Sequence, residues 1–329
     1  MTNHRAQKFN PAAGKKLRVA AVQMKFAPTI DANLDLIARA VQQAVRRRAD
    51  AILFPECATT GYAYDFAALR PGKVRQALRH GCALAAQYQV NILLGTPVFR
   101  GRQLQNCLVV IDRAGRIVHC YAKCQLTSAD RKYFTPGNHI ALFDLDGICC
   151  TAIICHERRY PELVRLAAMA GAQILFHPNA GMDALAVSRR KRHGRDGIAV
   201  RAFENAIYYV FANSVGPQGN GIWSAGDSKI VAPDGTVVKL ANNRDAALIV
   251  ADLDLSLATR TYALDSMEHP RFLSPTWKRL VREVRRQACD SHFSALETSH
   301  SSSGGPSIDL PATATVLPSG RKTTPPKHS

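Results

Sequence analysis

The sequence predicts an α/β fold in which helices cover the outer faces of mixed β-sheets. Three observations carry this. Short apolar runs of small and β-branched residues recur along the chain, as in strands covered on both faces. Segments with helical apolar periodicity alternate with them. Between some strands stand Gly-containing turns of hairpin length. With 329 residues, 47% of them hydrophobic, the chain is long enough for one large domain or two smaller ones.

Leu17–Met24 (LRVAAVQM) reads as the first strand. Asp31 is placed to cap a helix in which Leu34, Ile37, Ala38, Val41 and Val45 share one face, and the closing Arg46-Arg47-Arg48 suits a C-terminal dipole. Ala51–Phe54 is a short strand stopped by Pro55. Arg75–Gln87 reads as helix and Val90–Thr96 as strand. Cys107–Asp112 and Arg116–Tyr121 flank Arg113-Ala114-Gly115 as a hairpin. Ile140–Asp144 and Ile148–Ile154 form a strand pair around Asp146-Gly147. Glu162–Ala170 is helical, Ile174–His177 a strand, Ile198–Asn205 a helix and Ile207–Asn213 a strand. Ser228–Ala232 and Thr236–Leu240 form a hairpin around Pro233-Asp234-Gly235, and Ala247–Asp252 closes the series. Residues 1–16 read as a flexible N-terminal segment and 17–288 as the folded domain. From 289 to 329 the composition turns to Ser, Thr, Pro and Gly, which bury too little apolar surface to offset ordering entropy, so this tail reads as disordered.

Net charge is +18 with a pI near 9.8. The positive residues lie in separate clusters, at Lys15-Lys16, Arg46–Arg48, Arg189–Arg192 and Lys278–Arg286, without a nucleic-acid-reading motif, so a basic solvated surface is favoured over a polyanion-binding role. No apolar run approaches the ~20 residues that span a bilayer, and the N-terminus has no secretory apolar stretch, so a cytoplasmic protein is expected. Nine cysteines, two of them adjacent at Cys149-Cys150, fit reduced thiols better than a disulfide framework. Cys120, Cys124, Cys149, Cys150 and His156 lack the paired spacing of a structural zinc site.

Three reactive side chains end strands. Glu56 follows Leu53-Phe54-Pro55, where poor solvation makes a carboxyl a usable base; the other reading is a side chain turned to solvent or capping a helix. Lys123 follows Arg116–Tyr121 and is placed either to stabilise an oxyanion or to face solvent. Cys155 ends Thr151-Ala152-Ile153-Ile154 ahead of Tyr160-Pro161-Glu162, where a helix N-terminus would favour thiolate; the other reading is an inert core thiol.

Taken in order, the Phe-Pro-Glu strand end, Lys123 followed by Tyr133-Phe134-Thr135-Pro136-Gly137, and the Cys155 strand end before Arg-Tyr-Pro-Glu resemble the nitrilase superfamily of carbon–nitrogen hydrolases. The resemblance runs from about Leu17 to about Val284. It includes Asp31 and Asn33, His177-Pro178-Asn179, Arg201–Asn205 and Ala225–Ser228. It implies a four-layer α-β-β-α sandwich, a homodimer or larger homo-oligomer, and no metal or organic cofactor. It also implies that Glu56 is general base, Lys123 oxyanion stabiliser and Cys155 nucleophile, acting on a small-molecule amide or N-carbamoyl substrate. The family's second glutamate is replaced by Asp130, one methylene shorter, which either positions Lys123 or substrate or pairs with Arg131. After the cysteine stand His156 and Glu157 where true nitrilases tend to have Trp-Glu, which weakens a nitrile reading. His156, Glu157 and Asn179 are candidates for oxyanion or substrate contacts, and Arg189–Arg195 either holds a substrate carboxylate or is a solvated loop. Two alternatives remain at this point: an acyltransferase using the same triad with an amine acceptor, and a polyanion-binding protein on this scaffold.

Overall fold

β1 (Lys16–Gln23) starts inside the segment assigned to the N-terminal extension, and the Leu255 amide donates to Lys15 O at 3.0 Å. The computed structural model describes residues 14–62, 64–190 and 197–290. The remainder of the N-terminal segment, the Ser/Pro/Thr-rich tail beyond 290 and most of the basic 189–195 loop lie outside the described residues.

α1 (Ile30–Arg46) is capped by Thr29 rather than Asp31: Thr29 Oγ1 accepts from Ala32 N at 3.2 Å, and Asp31 instead places negative charge in the first turn. β2 (Ala51–Leu53) follows. α2 (Pro71–Tyr88) begins earlier than its apolar periodicity suggests, because Pro71 at the first helical position has its φ preset and loses no amide bond there. β3 (Asn91–Arg100) continues past Pro97, which lies opposite Asn106 in a long hairpin with β4 (Gln103–Ile111). Then come β5 (Ile117–Ala122), β6 (Phe143–Leu145), β7 (Ile148–Ala152), α3 (Pro161–Ala170) and β8 (Ile174–Asn179). β9 (Asp183–Ala184), α4 (Leu185–Arg190), α5 (Ile198–Phe203), β10 (Tyr208–Asn213), β11 (Val215–Gly219) and β12 (Ile222–Ala225) follow. The described chain closes with β13 (Lys229–Val231), β14 (Val237–Leu240), β15 (Ala247–Asp254), α6 (Thr261–Glu268) and α7 (Ser274–Asp290). The Lys278–Arg286 charge cluster is thus part of an amphipathic helix, with Trp277, Val281, Val284 and Ala288 turned to the core.

Two six-stranded sheets, β15-β1-β2-β3-β4-β5 and β14-β13-β10-β8-β7-β6, provide the inner layers. Between them lies a core contributed by both, including Val19, Leu53, Leu93, Ile154, Phe176 and Val210. A second core packs α1 and α2 on the outside of the first sheet, through Ile37, Val41 and Leu78. A third packs α3, α5, α6 and α7 on the outside of the other, through Val164, Ala202, Ala263 and Val281. This is the four-layer α-β-β-α sandwich. A small third sheet, β11-β12-β9, stands apart from these two. No helix among the described residues is long and apolar enough to cross a membrane.

Two close approaches set the loops that carry the site. A Cβ on Gly95 would lie 2.0 Å from Pro55 O and 2.9 Å from Glu56 Cα, and one on Gly137 would lie 2.2 Å from Ala122 O. Only a residue without a side chain lets β3 pass beneath the Glu56 segment and the 137 loop lie against the strand end that precedes Lys123.

Candidate active site

Glu56, Lys123 and Cys155 follow β2, β5 and β7, and the sandwich brings these three carboxyl ends together, where open α/β sheets place their ligands. Lys123 Nζ lies 2.8 Å from Glu56 Oε1 and 2.9 Å from Asp130 Oδ2, with all three side chains sealed from solvent. Buried charges need partners, and here each has several. Glu56 Oε1 also accepts from Asn106 Nδ2 at 2.7 Å, and Oε2 accepts from Ala180 N at 3.0 Å. Asp130 accepts from Tyr62 Oη and, at 2.9 Å, from both Thr127 N and Thr127 Oγ1. Asp130 therefore holds Lys123 and does not pair with Arg131.

The charge states follow from these contacts. Burial alone would lower the Lys123 ammonium, but Glu56, Cys155 and Asp130 outweigh it and hold it well above the ordinary lysine range. Burial would raise Asp130, yet Lys123, Tyr62 and Thr127 hold it below the ordinary carboxylate range. Cys155 moves the other way. Burial first, then the adjacent Glu56 carboxylate, push its thiol up to about 12, with Lys123 opposing. The thiolate expected from a helix N-terminus is thus not the resting state. Cys155 opens a 3₁₀ turn over Cys155–Arg159, and α3 begins only at Pro161. Its backbone is also unusual: φ is +51°, a region that non-glycine residues seldom enter outside turns and functional sites.

Glu157 departs from the sequence reading. It is fully buried and spends its carboxylate inside the protein. Oε1 accepts from Cys124 N at 2.7 Å and Gln125 N at 3.1 Å, Oε2 accepts from Ile154 N at 2.7 Å, and Tyr121 Oη donates at 2.9 Å. It is a tie between the residues after Lys123 and the residue before Cys155, not a substrate contact. His177 Nε2 donates to Cys155 O at 3.0 Å; since a carbonyl only accepts, Nε2 carries the proton and Tyr209 Oη donates to Nδ1. Burial, with Arg158 adding, keeps His177 well below the ordinary histidine range and hence neutral.

A cavity of about 350 Å³ opens at Cys155. His156 and Asn179 are among the residues that line it. The His156 ring meets Tyr160 edge-on at 5.7 Å, and partial burial together with Arg159, Lys123 and Arg158 lowers its pKa. Asn179 Nδ2 donates to Asn213 Oδ1 at 2.8 Å, and Asn213 is itself fixed by Gly181 N and Gly226 O. Arg158 and Arg159 line the same cavity, and neither has a carboxylate partner among the described residues.

Four contributors escape sequence reasoning: Asn106, Tyr62, Arg158 and Arg159. Asn106 looks like any polar strand residue; only the β4–β5 pairing shows its carbonyl accepting from Lys123 N at 2.9 Å while its side chain holds Glu56. Cys57 supports it, its thiol donating to Asn106 Oδ1 at 3.7 Å. The two arginines had one available signal, their place three and four residues after the cysteine on a single turn. Among the described residues, no group of three or more His, Cys, Asp or Glu side chains is arranged to hold a metal ion.

Residues 18–263 match the family model described as carbon-nitrogen hydrolase. The chain belongs to the carbon–nitrogen hydrolase family. Among relatives of this hydrolase is a protein of Pseudomonas protegens described as the hydrolase in the pqqF 5' region, 31% identical over 83% of this chain and 93% of its own. An N-carbamoylputrescine amidase of Oryza sativa is 26% identical over 74% of this chain and 87% of its own. Among solved structures, the amidase of Nesterenkonia sp. AN1 superposes with a TM-score of 0.69 at 26% identity, covering 80% of this hydrolase and 97% of the amidase; in that structure an acetamide moiety is added covalently at the active-site cysteine.

Proposed function

We propose that this carbon–nitrogen hydrolase cleaves an amide or N-carbamoyl substrate through a thioester on Cys155, with Glu56 as general base and Lys123 as oxyanion stabiliser. One observation carries the reading: a buried carboxylate and ammonium in contact at 2.8 Å stand beside a thiol that opens onto a cavity. Because the resting sulfur is protonated, attack needs a base within reach, and Glu56 is the carboxylate that acts on it. As sulfur bonds to the carbonyl carbon, its proton passes to Glu56 and negative charge gathers on the carbonyl oxygen. The Lys123 ammonium, held by Asp130, stabilises that charge in a dry site. Collapse breaks the C–N bond, Glu56 returns the proton to the departing nitrogen, and a thioester remains. Water then gives its proton to Glu56 and its oxygen to the acyl carbon, releasing acid and thiol. Asp130 and Asn106 position the lysine and the base. Arg158 and Arg159 favour substrates that carry a carboxylate near the scissile bond, since guanidinium forks match carboxylates.

The amidase and carbamoyl-amidase relatives support this reading. It is tested by following ammonia release across paired amides and N-carbamoyl amines, each with and without a carboxylate. Turnover of carboxylate-bearing members, lost in Cys155→Ala, is expected. Turnover that survives this change rejects the mechanism.

A further inference from the structure

Next to the nucleophile chamber lies a second cavity, of about 490 Å³, lined by Leu185, Ser188, Trp223, Ala225, Asn243 and Arg244. Ala225 is common to both. β12 explains the arrangement. Side chains alternate along a strand, so Trp223 and Ala225 stand on one face, about 6.8 Å apart. Ser224 turns the other way, and its Oγ donates to Ser214 O at 2.7 Å. Across the sheet, Trp223 pairs with Asp183 of β9, which itself lines the nucleophile chamber. One strand face therefore leads from the chamber of Cys155 to the indole. The wall is fixed from α4, where Ser188 Oγ donates to Trp223 O at 2.9 Å.

We propose that this second chamber is the subsite for the remote part of the substrate and that it takes an aromatic group stacked on Trp223. The proposal rests on the amide or N-carbamoyl reading and deepens it. The indole supplies a broad apolar face, Leu185 and Ala225 extend it, and the Arg244 guanidinium at the rim is suited to the face of a bound ring. Size agrees, since a cavity of ~150 Å³ already admits benzene. Short aliphatic amides fill only the first chamber, whereas an aryl amide reaches across Ala225 into the second.

Two readouts test it, one of them independent of turnover. In Cys155→Ala/Trp277→Phe protein, Trp223 is the sole tryptophan of the two in the chain. Titration with 3-phenylpropionamide is expected to change its fluorescence saturably, and titration with acetamide is not. An equal response to both amides, or none to either, overturns the chamber assignment. In the active enzyme, the kcat/KM ratio of 3-phenylpropionamide to acetamide is expected to fall roughly tenfold in Trp223→Ala and in Leu185→Trp, which fills the chamber, and to persist in Trp223→Phe. A ratio unmoved by either change overturns the proposal. Saturable aryl binding without turnover of any amide or carbamoyl compound would reject the parent reading alone.

Discussion

At Lys123, burial favours the neutral amine, yet Glu56, Cys155 and Asp130 keep the ammonium. The same environment makes removal of the lysine costly, because two buried carboxylates would lose their shared cation. Lys123→Met is expected to abolish turnover and to lose about 3–5 kcal/mol in urea unfolding; a variant as stable as the parent would show that the cluster relaxes by protonation. Cys155 gives a pH-dependent signature. With its thiol pushed up to about 12, it should hold no more than about 1% thiolate at pH 10. The 240 nm difference titration between wild type and Cys155→Ala should therefore be flat from pH 6 to 10, and a step in that range would contradict the assignment. Glu157 acts through other residues. Gln in its place sets an N–H₂ against one of its backbone donors, and a shift near 1 Å can cost on the order of 100-fold in kcat. Glu157→Gln should lower kcat far more than it raises KM in steady-state kinetics.

The elements hold this chemistry in place through contacts of a few atoms. Gly95→Ala drives a methyl into Pro55 O, so β3 or the Glu56 segment must move. The expected result is a loss of activity on the order of 100-fold or failure to fold, read by activity and circular dichroism together. His177, at the fourth residue of β8, gives a stability test with a definite sign. Its folded pKa is depressed, so the unfolded chain binds a proton that the folded one refuses. Stability from this group is present above the unfolded value near 6.5 and is lost as pH falls below it. The melting temperature of wild type should fall more steeply between pH 7 and 5 than that of His177→Asn. Much of this framework is legible in sequence, because strong patterns are local: β1 is built around the apolar run Val19–Val22, and α1 repeats its apolar face over four turns. α7 is not, since a helix carrying five Lys and Arg between Lys278 and Arg286 reads as charged surface until Val281 and Val284 are seen to pack inward.

At the scale of the whole molecule, the sandwich turns three weak signals into one site. Glu56, Lys123 and Cys155 are each visible as reactive groups at strand ends, but a sequence holds no distance, and only the sheet order brings those ends together. Asn106 and the Glu157 tie depend on register between strands far apart in the chain, which no local pattern carries. Two whole-chain expectations remain as proposals. A homodimer is read by sedimentation at micromolar concentration, where a purely monomeric species would reject it. A basic surface without a nucleic-acid role is read by filter binding at low salt, where salt-sensitive retention of DNA would reject it. The central claim, that Cys155 takes the acyl group, is tested most directly by intact mass spectrometry of the otherwise unaltered enzyme, acid-quenched during turnover of an amide panel so that the thioester formed with Glu56 in place is trapped before water hydrolyses it. The account predicts a mass gain equal to an acyl group, mapped to the Cys155 peptide and absent when Cys155→Ala is added; an acyl adduct on another residue, with Cys155 unmodified, would contradict it.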